Sequence, residues 1–202
     1  MMRLLLVRHG QSEWNASHRL QGQADISLSD HGRHQADTLR PVIEAAKPCR
    51  AISSDLARVR ETAERIGAQN PRFSARLREI DVGDWTGRSI EDIQADDPDG
   101  YLGWRAGTQT PPGGESWDVF ATRVSNVIEA EEEDPCENLL VVCHGGVIRA
   151  ILQRFLGLQP ANIIPVGPAS LTAMRLANGT GKPARLELFN YRPDTLEFEA
   201  PD

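Results

Sequence analysis

Two stretches of the chain, LLLVRHG from Leu4 to Gly10 and LLVVCHGG from Leu139 to Gly146, run an apolar segment straight into a histidine and a glycine. In the first, Arg8 stands immediately before His9. A buried strand does not ordinarily end on titratable groups, and two such endings far apart in one chain ask for a joint explanation. A third segment, SSDLARVRETA, carries Arg58 just after another short apolar run. Imidazoles and guanidiniums gathered without a thiolate or carboxylate cluster suit a phosphate: guanidinium forks match its oxygens, and the cations offset its charge. One neutral histidine can attack phosphorus and carry a covalent intermediate. The other, if protonated, would stabilise the equatorial oxygens of the transferring group. Gly10 and Gly145, beside the two histidines, would let ligand and backbone N–H groups approach closely. An alcohol leaving group also needs a proton. The loop LREIDVGDWTG offers Glu79, Asp81 and Asp84 for that task; Glu79 has the best context, and spacing alone does not separate the three.

These groups need a scaffold that collects strand ends. Leu4–Val7 and Leu139–Val142 are continuous apolar runs, the pattern of strands covered on both faces in a parallel sheet. Ser29 reads as the N-cap of a helix bearing Ala36, Leu39 and Ile43, with Pro41 kinking or stopping it. A short strand, Ala51–Ser53, leads to a helix capped by Asp55 and running to about Ala68. The LREID segment reads as a strand end entering a loop, followed by a modest helix around Ser89–Gln94. Residues 95–116 read as a long surface excursion that could cover the site, with Trp85 packing beneath it and Tyr101 and Trp104 either packing there or touching substrate. Trp117–Asp134 is an amphipathic helix whose acidic tail, Glu131 to Asp134, reads as a solvated end. A helix follows His144, and two alternating stretches, Ser170–Leu176 and Arg185–Phe189, flank the turn NGTGKP as a hairpin at a sheet edge. The alternation predicts an α/β three-layer sandwich, a mostly parallel central sheet with helices on both faces, in which ligands gather beyond the carboxyl ends of the strands.

Composition narrows the partners. With 202 residues the chain fits one domain, 1–202. A net charge of -7 repels nucleic acid and anionic membrane surfaces, so a bound anion must meet a local cationic pocket. Cys49, Cys136 and Cys143 lack paired spacing and read as reduced thiols in a cytoplasmic protein. No apolar stretch reaches the length of a membrane span. The sequence lacks HxH or clustered-carboxylate spacing, which argues against a metal site. His18, His31 and His34 read as loop or helix-surface residues, and Arg149 as a brace for its helix.

The ordered set LLLVRHGQSEWN, SSDLARVRETA, LREIDVGDWTG, PPGGES and VVCHGGVIRA resembles the histidine phosphatase superfamily, also called the phosphoglycerate mutase-like family, from Leu4 to about Phe189. The resemblance implies a phospho-accepting His9 and a proton-donating Glu79, with Arg8, Asn15, Arg58 and His144 around the phosphoryl group. It places Gln21 and Gly22 on the substrate side and implies no metal or other cofactor. The true mutases carry an arginine-rich insertion after the position of Gly87; here the matching region is short and acidic, with Arg88 and Arg105 its only arginines before Pro111. The chain is therefore closer to the small bacterial phosphatase branch. Its expected partner is a small phosphorylated metabolite, such as a sugar phosphate, a phosphoglycerate or a nucleoside-like phosphate. Mutase-type phosphoryl transfer and a non-catalytic phosphate-binding module are the alternatives, and a homodimer is compatible with the reading.

Overall fold

The apolar run Leu4–Val7 forms the middle of a strand, β1 (Arg3–Arg8), in the computed structural model, which describes residues 2–134, 136–177 and 181–193. In chain order the elements that follow are α1 (Glu13–Ala16), α2 (Asp30–Ala46), β2 (Arg50–Ser53), α3 (Ala57–Arg65), β3 (Arg72–Phe73), α4 (Ile90–Asp96) and α5 (Pro98–Ala106). Then come α6 (Trp117–Glu131), β4 (Asn138–Cys143), α7 (Gly145–Leu156), β5 (Leu171–Arg175) and β6 (Arg185–Tyr191). The sheet order is β3-β2-β4-β1-β5-β6; β1 to β4 run parallel, while β5 and β6 are antiparallel and close one edge.

Period-two alternation of Cβ direction divides each central strand between two cores. Leu4, Leu6, Leu139 and Val141 pack with Phe120, Val124 and Ile128 of α6 and with Val147, Ile148 and Ile151 of α7. Leu5, Val7, Leu140 and Val142 pack on the other face with Ala36, Leu39 and Ile43 of α2 and with Val59 and Ala63 of α3. Helices on both faces explain why β1 and β4 are apolar without alternation. The register pairs Arg8 with Cys143, so His9 and His144 stand side by side, one residue beyond two neighbouring strands.

Several local expectations are corrected. The helix does not stop at Pro41 but continues to Ala46. A helix-interior proline costs about 3 kcal/mol or more; burial of Ala36, Leu39 and Ile43 along one face offsets it, and Pro41 itself lies on the exposed side. Asp55 does not cap α3. It makes a two-pronged ion pair with Arg78 at 2.8 and 2.6 Å, while the first N–H of α3, from Ala57, donates to Asp25 at 2.6 Å from a distant loop. Leu77 ends a short 3-10 turn, Ala75–Leu77, rather than a strand. The excursion 95–116 contains a real helix, α5, over which Tyr101 and Trp104 stack with Trp85 at ring separations of 5.7–6.5 Å. Glu131 is not solvated: it is buried and takes ion pairs from Arg50 and Arg72. The thiols are not all reduced, because Cys49 and Cys136 form a disulfide that ties the segments preceding β2 and β4; Cys143 remains a buried free thiol. The β5–β6 hairpin is present, with the first three residues of its NGTGKP turn outside the described residues. Among the described residues, no helix is long and apolar enough to cross a membrane.

Candidate active site

At the carboxyl end of β1 the His9 N–H donates to the Cys143 carbonyl at 3.0 Å, so the two histidine-bearing strand ends are hydrogen-bonded to each other. The imidazoles meet edge to face with centroids 5.2 Å apart, and both are buried. Nδ1 of His9 lies 2.7 Å from the Gly10 carbonyl. A carbonyl only accepts, so Nδ1 carries the proton and Nε2 keeps its lone pair. His144 has the opposite tautomer. Its Nδ1 faces Arg58 Nη2 at 3.4 Å, and a guanidinium only donates, so the proton sits on Nε2, which donates to Ser54 Oγ at 3.0 Å. Burial first, then the charges of Arg58 and Arg8, drives the His9 pKa well below the ordinary histidine value; burial and Arg58 do the same to His144. Both rings are therefore neutral in this arrangement, and the protonated second imidazole envisaged from the sequence is not what the geometry holds.

The two arginines are positioned by backbone carbonyls rather than by carboxylates. Arg58, 1% exposed, donates to Ala24 O at 2.7 Å and Gly22 O at 2.9 Å. Arg8 donates through Nη1 to Val166 O. Burial lowers each guanidinium to about 10, with Glu79 pulling the other way, so both stay cationic at neutral pH. Their Nε atoms are buried without partners among the described residues. Two cations, with donors unspent on the protein, converge beside a neutral imidazole, and the group they fit is a tetrahedral anion.

Arg8, His9, Asn15, Gln21, Gly22, Arg58, Glu79 and Gly145 line one cleft, and His144 stands behind it against Arg58. Asn15 closes a capping box with Ser12 at the start of α1, and the Ser12 hydroxyl donates to Gln21 Oε1 at 2.7 Å, which locks these two cleft residues together. Gly22 has a φ of +49°, and a Cβ there would lie 2.9 Å from a Val82 methyl; its carbonyl is one of those holding Arg58. Gly10 serves packing rather than ligand approach. A side chain would strike the Gly32 carbonyl of α2 at 2.4 Å, and its N–H is already given to Thr62 at 3.1 Å. Gly145 borders the Arg8 guanidinium across the cleft.

The cleft also separates the three candidate acids. Glu79 lines it, and its carboxylate accepts from the N–H groups of Ile80 at 2.9 Å and Gly146 at 3.0 Å, the latter at the N-terminus of α7. Asp81 spends its Oδ1 on the Gly83 N–H at 2.9 Å, and Asp84 abuts Gly113; neither borders the cleft. A Cβ on Gly146 would come within 2.2 Å of Glu79 Oε1. Gly146→Ala is accordingly expected to lower kcat/KM by about 10- to 100-fold, a partial loss of the roughly 100- to 10,000-fold that general acid–base catalysis supplies. Its melting temperature should stay within a few degrees of wild type, since alanine suits a helix better than glycine; parallel kinetics and thermal melts check both.

Sequence reasoning missed Ser54, which fixes the His144 tautomer, and Gly146, although both lie inside motifs that were read. It also missed Arg105, Trp117 and Arg149 as cleft-lining residues; Trp104, which the sequence leaves open between packing and substrate contact, lines the cleft too. Arg149 does brace, donating to the Pro160 carbonyl at 2.7 Å and also to Arg105 O, but it borders the cleft as well. Arg88 pairs with Asp96 on the surface, and His18, His31 and His34 are exposed. Among the described residues, no three His, Cys, Asp or Glu side chains are grouped to hold a metal ion.

Strand-end imidazoles, buried guanidiniums and a carboxylate on a helix N-terminus, set at the carboxyl edge of a mostly parallel sheet, define an α/β enzyme built around a phosphoryl-sized anion. The family model of the histidine phosphatase superfamily (branch 1) matches residues 4–189, and the chain belongs to that superfamily. It is 38% identical to a glucosyl-3-phosphoglycerate phosphatase of Mycobacterium tuberculosis, over 98% of this chain and 95% of that protein. It is 34% identical to the adenosylcobalamin/alpha-ribazole phosphatase of Salmonella typhimurium, covering 80% of this chain and 83% of that one. Among solved structures, a mycobacterial glucosyl-3-phosphoglycerate phosphatase in complex with VO3 superposes with a TM-score of 0.81 at 36% identity, over 94% of this chain and 99% of that chain.

Proposed function

We propose that this phosphatase hydrolyses a small phosphomonoester through a phosphohistidine on Nε2 of His9, without a metal. Nε2 attacks phosphorus and the ester P–O bond breaks. The leaving oxygen takes its proton from Glu79. Arg8 and Arg58 hold the phosphoryl oxygens and offset their charge, and His144 backs Arg58 from behind the cleft. Water then attacks phosphorus, Glu79 accepts its proton, and inorganic phosphate leaves a neutral His9. Asn15, Gln21, Gly22 and Gly145 line the substrate side.

The observation that carries this reading is the His9 ring itself: Gly10 O ties down Nδ1, leaving the one unprotonated nitrogen to a cleft walled by Arg8 and Arg58. Hydrolysis is favoured over mutase transfer by the region after Gly87, where Arg88 is turned to Asp96 and only Arg105 borders the cleft. A phosphorylated small metabolite of the glucosyl-3-phosphoglycerate type is the first substrate to try, on the strength of 38% identity along nearly the whole chain to an enzyme named for it.

The test is to incubate the enzyme with a panel of phosphate-labelled monoesters. Free phosphate and an acid-labile label on the protein support the reading, and isomerised ester with no phosphate release contradicts it. Excess chelator is expected to leave the rate within about twofold of the untreated enzyme; loss of activity restored by a divalent ion would remove the metal-free part of the proposal.

A further inference from the structure

The motif PPGGES contributes no side chain to the cleft, yet it packs on the loop that carries the acid. The Glu115 N–H donates to Asp81 O at 2.9 Å, and the Asp84 N–H to Pro112 O at 2.9 Å. Gly83 admits this approach, since a Cβ there would sit 2.2 Å from the Pro112 carbonyl. The side chain of Glu115 also accepts from the Asp81 N–H at 3.4 Å, and it grips Arg123 of α6 with both oxygens, at 2.7 and 2.8 Å. Arg123, with its guanidinium over the Phe120 ring at 4.8 Å, donates to three successive features of the acid loop: the carbonyls of Arg76 and Arg78, each at 2.8 Å, and that of Glu79 itself at 2.9 Å.

The geometry points to Arg123, locked by Glu115, as the positioning residue that holds Glu79 against the leaving oxygen. Neither residue touches the cleft. A guanidinium fork suits this task because its donors lie in one rigid plane, so three carbonyls and a carboxylate fix one loop conformation. Lysine, with a single ammonium, cannot span the same set. The inference rests on the reading of Glu79 as proton donor, and it assigns to the otherwise unexplained PPGGES motif the job of anchoring that donor. Displacing Glu79 by a fraction of an ångström matters only while a proton must reach the departing oxygen.

The leaving group therefore provides the test. Phenol is as basic as a tyrosine side chain, near pKa 10, and benefits from a donated proton; p-nitrophenolate is a far weaker base and departs without one. We compare kcat/KM for phenyl phosphate and p-nitrophenyl phosphate, because this ratio reports steps up to phosphoryl transfer and not the later hydrolysis. For Arg123→Gln, kcat/KM on phenyl phosphate is expected to fall about tenfold or more, and on p-nitrophenyl phosphate less than about threefold. Arg123→Lys should recover only part of the loss. Glu115→Gln, a gentler change that keeps the loop's shape, should show the same selective pattern at smaller size, and it carries the test if Arg123→Gln does not fold. An equal fall on both substrates in either folded variant, or no change in their ratio, overturns the positioning role. Glu79→Gln is the control: if it fails to alter the ratio, the assignment of Glu79 is wrong, whereas an altered ratio with unaltered Arg123 and Glu115 variants condemns the inference alone.

Discussion

Replacing His9 with asparagine is expected to abolish turnover, with a fall on the order of 10^4 or more in kcat, and to abolish the phosphoenzyme with it. The size follows from the chemistry: among the described residues, no other side chain lining the cleft presents a neutral imidazole lone pair to phosphorus. Arg8 and Arg58 remain protonated, and burial pushes the Cys143 thiol upward and keeps it inert. Asparagine can keep an amide donor toward the Gly10 carbonyl, which limits collapse of the strand end. Inorganic phosphate should therefore still bind to the variant, because the guanidiniums are held by Gly22, Ala24 and Val166 and not by His9. Rapid-quench labelling and phosphate titration of the variant separate the two effects. Residual hydrolysis near the wild-type rate would mean that another group attacks.

The second large effect is on stability against pH. His9 and His144 are kept neutral by the fold far below the range in which free imidazole takes a proton, about pH 6.5. Below that pH the unfolded chain binds more protons than the native one, so stability is complete above about pH 6.5 and declines as the pH falls. Each histidine contributes a slope of up to about 1.4 kcal/mol per pH unit, or about 2.7 for the pair. Carboxylates held low in the fold act later. Asp55 is held down by Arg78, and burial of Glu187 is outweighed by its Arg3, Arg175 and Arg185 partners, which bring it to about 2. Urea unfolding at pH 7.5, 6.0 and 5.0 isolates the histidine window, and His144→Asn should roughly halve the slope. A flat profile across that range would show that the imidazoles titrate freely in the native state.

What the sequence disclosed follows a physical pattern. The central strands were legible because both faces are buried, and unbroken apolar runs ending in His-Gly survive any reading of context. Their pairing placed His9 beside His144 in the register now seen. Features decided by distant approach were not legible. The disulfide joins cysteines 87 residues apart that become neighbours only because β2 and β4 lie side by side. Asp25 supplanted Asp55 at the start of α3 for the same reason. The early stop open at Pro41 does not occur, because the packing of Ala36, Leu39 and Ile43 overrides local breaking propensity. The acid illustrates both sides. Glu79 stood out by motif, but its separation from Asp81 and Asp84 depends on the N-terminus of α7 and the grip of Arg123, which no spacing in the loop encodes.

One measurement bears most directly on the claim that His9 is the nucleophile. The enzyme carrying nitrogen-labelled histidine is mixed with a phosphomonoester, trapped at alkaline pH and examined by nitrogen and phosphorus NMR. Because Gly10 O occupies Nδ1, the account predicts a phosphoryl group bonded to Nε2 of His9 and to no other atom. Phosphorus on Nδ1, on His144, or on no histidine during turnover would contradict it.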